Sequence, residues 1–150
     1  GVLSPVTRVY ASLRDGRDAC GVYVVSHLTL LLGVLVPALI GQDQVEVLAG
    51  IISVGIGDAA AAIGGSMWGR HKWLRPTTTK IKVSSKSIEG SICMCISMLV
   101  TVFAVTGPTT TGVWGAVGTC VLTSVFEALC DQSDNLFLPL VFLAFWRVFQ

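Results

Sequence analysis

Apolar residues occur along the chain in five long segments that are separated by polar stretches. The segments approach the roughly 20 residues that a helix needs to cross a bilayer. Only one separating stretch, between the second and third segments, is long and strongly basic. The pattern predicts an all-α integral membrane fold, a bundle of about five transmembrane helices. The five segments are residues 22–40, 45–68, 88–106, 112–129 and 136–149.

The composition supports a membrane protein. The chain is 53% hydrophobic and 13% charged, whereas soluble domains carry about 25% charged residues. A formal net charge of +1 gives no reason to expect a nucleic-acid partner. Residues 1–19 carry three arginines and two aspartates before the first apolar segment. We interpret them as a cytosolic lead-in to a single membrane-embedded domain that comprises residues 1–150.

The positions of lysine and arginine predict the orientation in the membrane. Nine of the ten basic residues lie in the N-terminal stretch or in the polar stretch 70–86. If the segments cross in alternation, these two stretches and the acidic loop 131–135 lie on one side. The positive-inside rule makes that side cytosolic. Basic and acidic groups are therefore expected together on the cytosolic side.

The sequence GIGDAAAAIGG, residues 55–65, places Asp58 inside the second apolar segment. A carboxylate there costs roughly 2.5–3.5 kcal/mol on insertion scales, and such residues usually mark functional sites. One interpretation is a structural carboxylate that is paired or caps a broken helix. The other is a metal site, because Mg²⁺ binds one or two carboxylates together with substrate phosphates. The neighbouring glycines, which include Gly55 and Gly57, predict a broken or glycine-rich second helix.

Further candidate residues lie near the same predicted side. Glu127 is close to the cytosolic end of the fourth segment, and Asp134 follows it in the acidic loop. Lysines among threonines and serines suit a polyanion. Ser87, with Glu89 two residues later, predicts a helix N-terminus that favours phosphate. The alternative is a basic loop that only orients the protein against anionic lipids. The lysines are Lys80, Lys82 and Lys86.

Three stretches of sequence, GIGDAAAAIGGSMWGRHKW, SKSIEGS and FEALCDQSDNLFLPL, resemble motifs of the polyprenol kinase family, and within it the dolichol kinase branch. Arg17-Asp18 and the sequence SHLTLLLGVLVP near the start of the chain also resemble that branch, so the resemblance covers roughly residues 14–141 in the same order. The spacer between Gly69 and Lys86 is longer than in that branch, and the block has Lys-Ser where Lys-Thr is commoner. The matching residues are Gly55, Gly57, Asp58, Lys86, Ser87, Glu89, Gly90, Glu127, Asp134, Asn135, Pro139 and Leu140.

The resemblance implies a multi-pass enzyme of the endoplasmic reticulum membrane whose active site faces the cytosol. Such an enzyme transfers the terminal phosphoryl group of CTP to dolichol or another polyprenol and forms the carrier lipid of protein glycosylation. The chain would be the C-terminal catalytic part of a longer protein. Contacts with a missing N-terminal membrane region, or with a second copy of the chain, are then expected.

The resemblance also implies roles for individual residues. Asp58 and Asp134 would hold Mg²⁺, with Asn135 or Glu127 assisting, and one of the three carboxylates would be the base for the prenol hydroxyl. The expected nucleotide-binding residues are Gly55, Gly57, Lys80, Lys82, Lys86, Ser87, Glu89, Gly90 and Asn135.

Two kinds of alternative stay open. Within the enzymes, the competitors are a CTP-dependent phosphatidate cytidylyltransferase-like protein and a kinase of phytol or another prenol. The alternative of a different class is a membrane transporter that binds a cation at a broken helix around Asp58.

Overall fold

The computed structural model describes residues 25–76, 81–107, 112–130 and 134–150. The side chains of residues 25, 26, 74–76, 81–85 and 134 lie outside that description. The chain is predominantly helical. Its helices are α1 (Val25–Ile40), α2 (Gln44–Val47), a π-helical segment (Ile51–Asp58), α3 (Ala59–Trp68), α4 (Ile88–Thr106), α5 (Val113–Leu129) and α6 (Asp134–Phe149).

Each of the five predicted apolar segments contains a helix. α4 begins and ends at the predicted residues, Ile88 and Thr106. Among the described residues, two helical stretches are long and apolar enough to cross a membrane, Ile51–Trp68 and Ile88–Thr106. α1, α5 and α6 are apolar but shorter. The helical fold fits a membrane protein, and the number of crossings stays a prediction.

The two ends of α4 follow from single residues. Ser87 has an extended backbone, and its Oγ accepts a hydrogen bond from the Gly90 N–H at 3.2 Å, so that Ser87 caps the helix. At the other end Gly107 has φ = +69°, a left-handed conformation that glycine adopts without a steric penalty. The helix N-terminus predicted at Ser87 is therefore confirmed.

The second apolar segment changes its hydrogen-bond pattern at Asp58. The eight residues Ile51–Asp58 form a π-helix, and Asp58 and Ala59 keep right-handed helical torsions into α3. The predicted break is not confirmed, because the helix continues through Asp58. Instead of breaking the helix, Gly57 allows close packing: a Cβ there would lie 3.0 Å from Cγ of Met98. π-helical turns are rare and occur frequently at functional sites.

The core lies where α4 packs against the π-helical segment, α3 and α5, and where α6 packs against α1, α5 and the π-helical segment. The outer sides of the helices carry large exposed apolar side chains, as Trp114 shows with 86% exposure. An apolar surface of this kind suits a lipid environment. Core residues include Val45, Ala49, Ile52, Met94, Met98, Val102, Cys120, Leu138, Phe142 and Trp146.

The basic stretch between α3 and α4 contains a hairpin, so the all-α expectation needs this correction. β1 (Lys72–Pro76) pairs antiparallel with β2 (Ile81–Ser87), with a bulge between Lys72 and Leu74. The physical reason lies in the sequence, because β-branched residues such as Ile81 and Val83 favour extended strands. The charges in this stretch predict only a polar loop.

The two ends of the bundle carry different polar groups. At the end where α4 begins, the Lys86 ammonium donates to the Cys130 carbonyl at 2.8 Å, which brings the hairpin next to the end of α5. At the other end Arg147 donates to both carboxylate oxygens of Glu46 at 2.9 Å. The structure thus places the basic stretch and the residue before the acidic loop together, as the charge pattern predicts.

Candidate functional site

The base of the hairpin is fastened to the start of α4. The Ile88 N–H donates to the His71 carbonyl at 2.9 Å. The His71 N–H donates to the two carboxylate oxygens of Glu89 at 3.1 and 3.2 Å, and His71 Nδ1 lies 2.6 Å from Glu89 Oε1. Lys72 pairs with Ser87 across the strands. These contacts fix the strand residues that precede α4.

Lys86 is held by the C-terminal end of α5. Its ammonium lies 2.7 Å from Glu127 Oε1 and donates to the carbonyl oxygens of Glu127 at 2.6 Å and of Cys130 at 2.8 Å. The last carbonyls of a helix lack partners within the helix and carry partial negative charge, so a lysine there is favourable. The Glu127 side chain is 6% exposed and that of Lys86 is 20% exposed. The pair is therefore largely shielded from solvent.

A cavity of about 350 Å³ lies between α3, the start of α4 and the end of α5. Asp58, at the junction of the π-helical segment and α3, is half-buried in its wall. The cavity thus joins two carboxylates, two lysines and three serine hydroxyls. Its lining residues are Asp58, Ala61, Ala62, Gly65, Ser66, Lys72, Lys86, Ser87, Gly90, Ser91 and Glu127.

Small residues let α3 and α4 approach each other beside this cavity. A Cβ on Gly90 would lie 2.8 Å from the Ala61 carbonyl oxygen. A Cβ on Gly64 would lie 2.8 Å from Cβ of Cys93. The run of alanines and glycines after Asp58 therefore serves close helix packing, which large side chains would prevent.

The donor set of the cavity fits a divalent cation that also binds a nucleotide. Among the described residues there is no cluster of three or more His, Cys, Asp or Glu side chains that could hold a metal ion by itself. Mg²⁺ usually needs only one or two protein carboxylates, because substrate phosphates and water complete its shell. Asp58 and Glu127 line the cavity. Both carboxylates are therefore candidate ligands, and the Glu127 carboxylate also pairs with Lys86.

The structure brings together part of the residue set that the sequence predicts. Asp58, Glu127, Lys86, Ser87 and Gly90 line one cavity. The predicted residues Gly55, Gly57, Glu89 and Asn135 do not line it.

Three predicted residues lie wholly or partly outside the description. Lys80 is outside the described residues. For Lys82 in β2 and for Asp134 at the start of α6, the backbone is described and the side chain is not.

Lys72, Ser66 and Ser91 line the cavity but were not predicted as site residues. Lys72 belongs to the basic stretch, where charge alone does not distinguish one lysine from the next. The signal that could have found it is the hairpin: an antiparallel strand ending at Ser87 brings its partner Lys72 to the same end.

Comparison with known proteins identifies several relatives, which are all named dolichol kinase. The chain is 29% identical to a dolichol kinase of Schizosaccharomyces pombe over 91% of its own length and 27% of the relative. It is 30% identical to a dolichol kinase of Arabidopsis thaliana, over 92% of the chain and 25% of the relative. It is 31% identical to the dolichol kinase of Mus musculus, over 86% of the chain and 26% of the relative.

The chain thus spans about a quarter of the length of the curated relatives that it matches. No protein-family model matches it, and no solved structure does. The resemblance of its motifs to the polyprenol kinase family is confirmed by these similarities. The chain is a relative of the dolichol kinases over most of its length.

Proposed function

We propose that the chain is the catalytic part of an integral membrane dolichol kinase, which transfers the terminal phosphoryl group of CTP to dolichol. The product, dolichyl phosphate, would serve protein glycosylation. Relatives named dolichol kinase support this proposal. The observation that carries it is the cavity whose wall contains Asp58, Glu127, Lys72 and Lys86.

Phosphoryl transfer depends on positioning of the substrates and on neutralisation of the phosphate charge. We assign the phosphate tail of CTP to Lys72 and Lys86, which line the same cavity. Lys86 would exchange one of its acceptors, which include Glu127 Oε1 and the carbonyls of Glu127 and Cys130, for a phosphate oxygen. The helix N-terminus contributes less than the sequence suggested. The Ile88 N–H already donates to the His71 carbonyl, and the Gly90 N–H to Ser87 Oγ. Roles for Lys80 and Lys82 stay predictions.

The carboxylates divide into two roles. Glu127 is paired with Lys86, and we assign it to positioning that lysine. Asp58, together with Asp134, would hold Mg²⁺, which supplies charge neutralisation at the nucleotide phosphates when bound. One of these two aspartates would accept the proton of the dolichol hydroxyl as the hydroxyl oxygen forms a bond to the γ-phosphorus of CTP. The bond between that phosphorus and the bridging oxygen of the β-phosphate breaks in the same transfer, and CDP leaves.

The proposal includes a location. The cavity lies at the end of the bundle that carries the basic hairpin, and the positive-inside rule assigns this end to the cytosol. We propose a multi-pass protein of the endoplasmic reticulum membrane with its cavity facing the cytosol. Contacts with a further membrane region of a longer chain, or with a second copy, belong to the same proposal.

The test is phosphoryl transfer from labelled CTP to dolichol in liposomes. Asp58→Asn is compared with the wild type and with Asp43→Asn. Asp43 is a matched control because its carboxylate lies at the other end of the bundle, where it accepts a hydrogen bond from Trp146 Nε1 at 3.0 Å. We expect roughly a 10²-fold or larger loss of kcat for Asp58→Asn and little loss for Asp43→Asn. Wild-type activity in Asp58→Asn would overturn the proposal.

The same variants should also be assayed in a full-length relative that carries this chain in place of its matching quarter. Product analysis separates the competing enzymes: a kinase releases CDP, and a cytidylyltransferase releases pyrophosphate. Parallel assays with phytol and dolichol separate the prenol kinases. The transporter alternative needs a broken helix at Asp58, and the continuous helix from Ile51 to Trp68 does not support it.

A further inference from the structure

A second cavity, of about 200 Å³, lies along the outer side of the bundle between α4 and α5. It is an open groove whose walls are mainly apolar. Its flanking side chains, such as Ile92 with 53% and Val121 with 43% exposure, project outward from helices of an apolar bundle. The lining residues are Trp73, Ile88, Ser91, Ile92, Cys95, Val121, Ser124 and Val125.

The groove has polar groups near Ser91, which lies between Ile88 and Ile92 in its α4 wall. Ser91 lines both the groove and the candidate catalytic cavity. The Trp73 indole N–H donates to Ser91 Oγ at 3.2 Å, and Ser124 Oγ donates to the Ser91 carbonyl at 2.7 Å. Ser91 therefore forms the boundary between an apolar groove and a polar cavity.

The groove runs along the helix axis, and beyond Ser91 it continues away from the hairpin along Ile92 and Cys95. On α4 its lining runs from Ile88 through Ile92 to Cys95, which spans ~10 Å at 1.5 Å per residue. The wall beyond Ser91 is made of aliphatic side chains and one thiol. The groove thus combines a polar contact at Ser91, shared with the cavity, with an apolar wall beyond it. This layout suits an amphiphile with one small polar head and a hydrocarbon chain.

We propose that this groove binds the first isoprene units of the prenol substrate and directs its hydroxyl past Ser91 into the cavity. The inference rests on the proposed kinase function, which it deepens by assigning the lipid-binding surface. A prenol fits better than a phospholipid, because the groove residues around Ser91 carry neutral hydroxyl and indole groups and no side chain that lines the groove is charged. Trp73 marks the membrane–water boundary, where indole side chains are favoured.

The kinetic test compares two substitutions on α4. Ile92 lines the groove, whereas Ile96, one turn further, does not, and the two are similarly exposed at 53% and 56%. We expect Ile92→Trp to raise the KM for dolichol at least tenfold without changing the KM for CTP, and Ile96→Trp to leave both within about twofold. Equal effects of the two variants on the KM for dolichol would overturn the groove assignment and leave the kinase proposal intact.

A binding measurement covers the case in which Ile92→Trp does not fold. Wild-type protein in phosphatidylcholine nanodiscs is photolysed with a prenol that carries a diazirine in its first isoprene units. We expect crosslinks on residues 88–95 of α4 and 121–125 of α5, although phospholipid is in large excess. Crosslinks on α1 alone would overturn the groove assignment. So would a lack of crosslinks in the groove because the excess phospholipid outcompetes the prenol. Failure of wild-type protein to phosphorylate dolichol, with specific crosslinks retained, would instead refute the kinase proposal.

Discussion

The Lys86 ammonium lies 2.7 Å from the Glu127 carboxylate and also donates to the backbone carbonyl of the same glutamate at 2.6 Å. One lysine thus caps the end of α5 and neutralises a carboxylate that is almost completely buried. Lys86 precedes Ser87, the N-cap of α4, and the pair thereby ties it to α5, which lines the cavity through Glu127. The position of Lys86 therefore depends on Glu127 as much as on β2, the strand to which Lys86 belongs.

This pair predicts strong coupling between two substitutions. Removing one partner of a buried ion pair costs about 3–5 kcal/mol, and we expect the lower end of that range because Lys86 keeps 20% exposure. Lys86→Met and Glu127→Gln should each lower the free energy of unfolding in detergent micelles. The double variant should lose less than the sum of the two. Additive losses would show that the pair contributes no coupling.

Close packing of α3 on α4 predicts opposite effects of two glycine substitutions. Gly64→Ala places a Cβ 2.8 Å from Cβ of Cys93, and we expect it to lower the free energy of unfolding by about 1–3 kcal/mol. Gly55→Ala is the control, since its nearest contact would be Cγ2 of Ile51 at an ordinary 3.7 Å. It should be neutral or stabilising by up to about 1 kcal/mol. Equal stabilities of the two variants would contradict the close approach.

Glu89 accepts hydrogen bonds from His71 and does not line the cavity. We therefore predict that it positions the hairpin base and does not contact the nucleotide. Glu89→Gln keeps an oxygen acceptor for the His71 N–H and should retain more activity than Glu89→Ala. Both should change the KM for CTP more than kcat, because the hairpin carries Lys72. A large loss of kcat in Glu89→Gln would assign the carboxylate to the reaction itself.

Asp43 predicts a dependence of stability on pH. Burial alone would raise the pKa of Asp43, but hydrogen bonds from the Glu46 backbone and from the Trp146 and Gln150 side chains outweigh it and hold the pKa below its ordinary 3.8. A carboxylate with a lowered folded pKa stabilises the protein above its unfolded pKa, and this contribution is lost as the pH falls towards the folded value.

The unfolding temperature of the wild type should therefore decrease below about pH 4. Asp43→Asn should be less stable than the wild type at neutral pH, and the difference between the two should shrink as the pH falls through this range. Thermal melts between pH 3 and 7 measure it. A difference that stays constant with pH would exclude Asp43 as the titrating group.

Several features could be predicted because their signals are local. The limits of α4 follow from an apolar run between a serine cap and Gly107. The location of Lys86 and Glu127 at the same end of the bundle follows from charge placement on alternating segments. The partners within the site depend on packing between distant elements, so they could not be predicted: Lys86 with Glu127, 41 residues apart, is one case.

The π-helical segment also could not be predicted from the sequence. A π-helix differs from an α-helix by a shift of one residue in its hydrogen bonds, and composition does not record that shift. The hairpin was missed because its strands are short and its charges dominated the interpretation. Among these features, the hairpin changed the expected site most, since it added Lys72 to the residues that line the cavity.

Because the base of the hairpin is fastened to α4, the hairpin can vary in length during evolution while its base keeps its position. The contacts that fix the hairpin base lie at residues 71–72 and 86–89, and Lys86 is also held by Glu127 and Cys130 at the end of α5. Residues added further out lengthen the arms without moving the base. The bulge beside Lys72 already absorbs a register shift, which would otherwise turn every following side chain to the opposite face. The hairpin can therefore accept insertions, including an engineered epitope, while the cavity keeps its lysines.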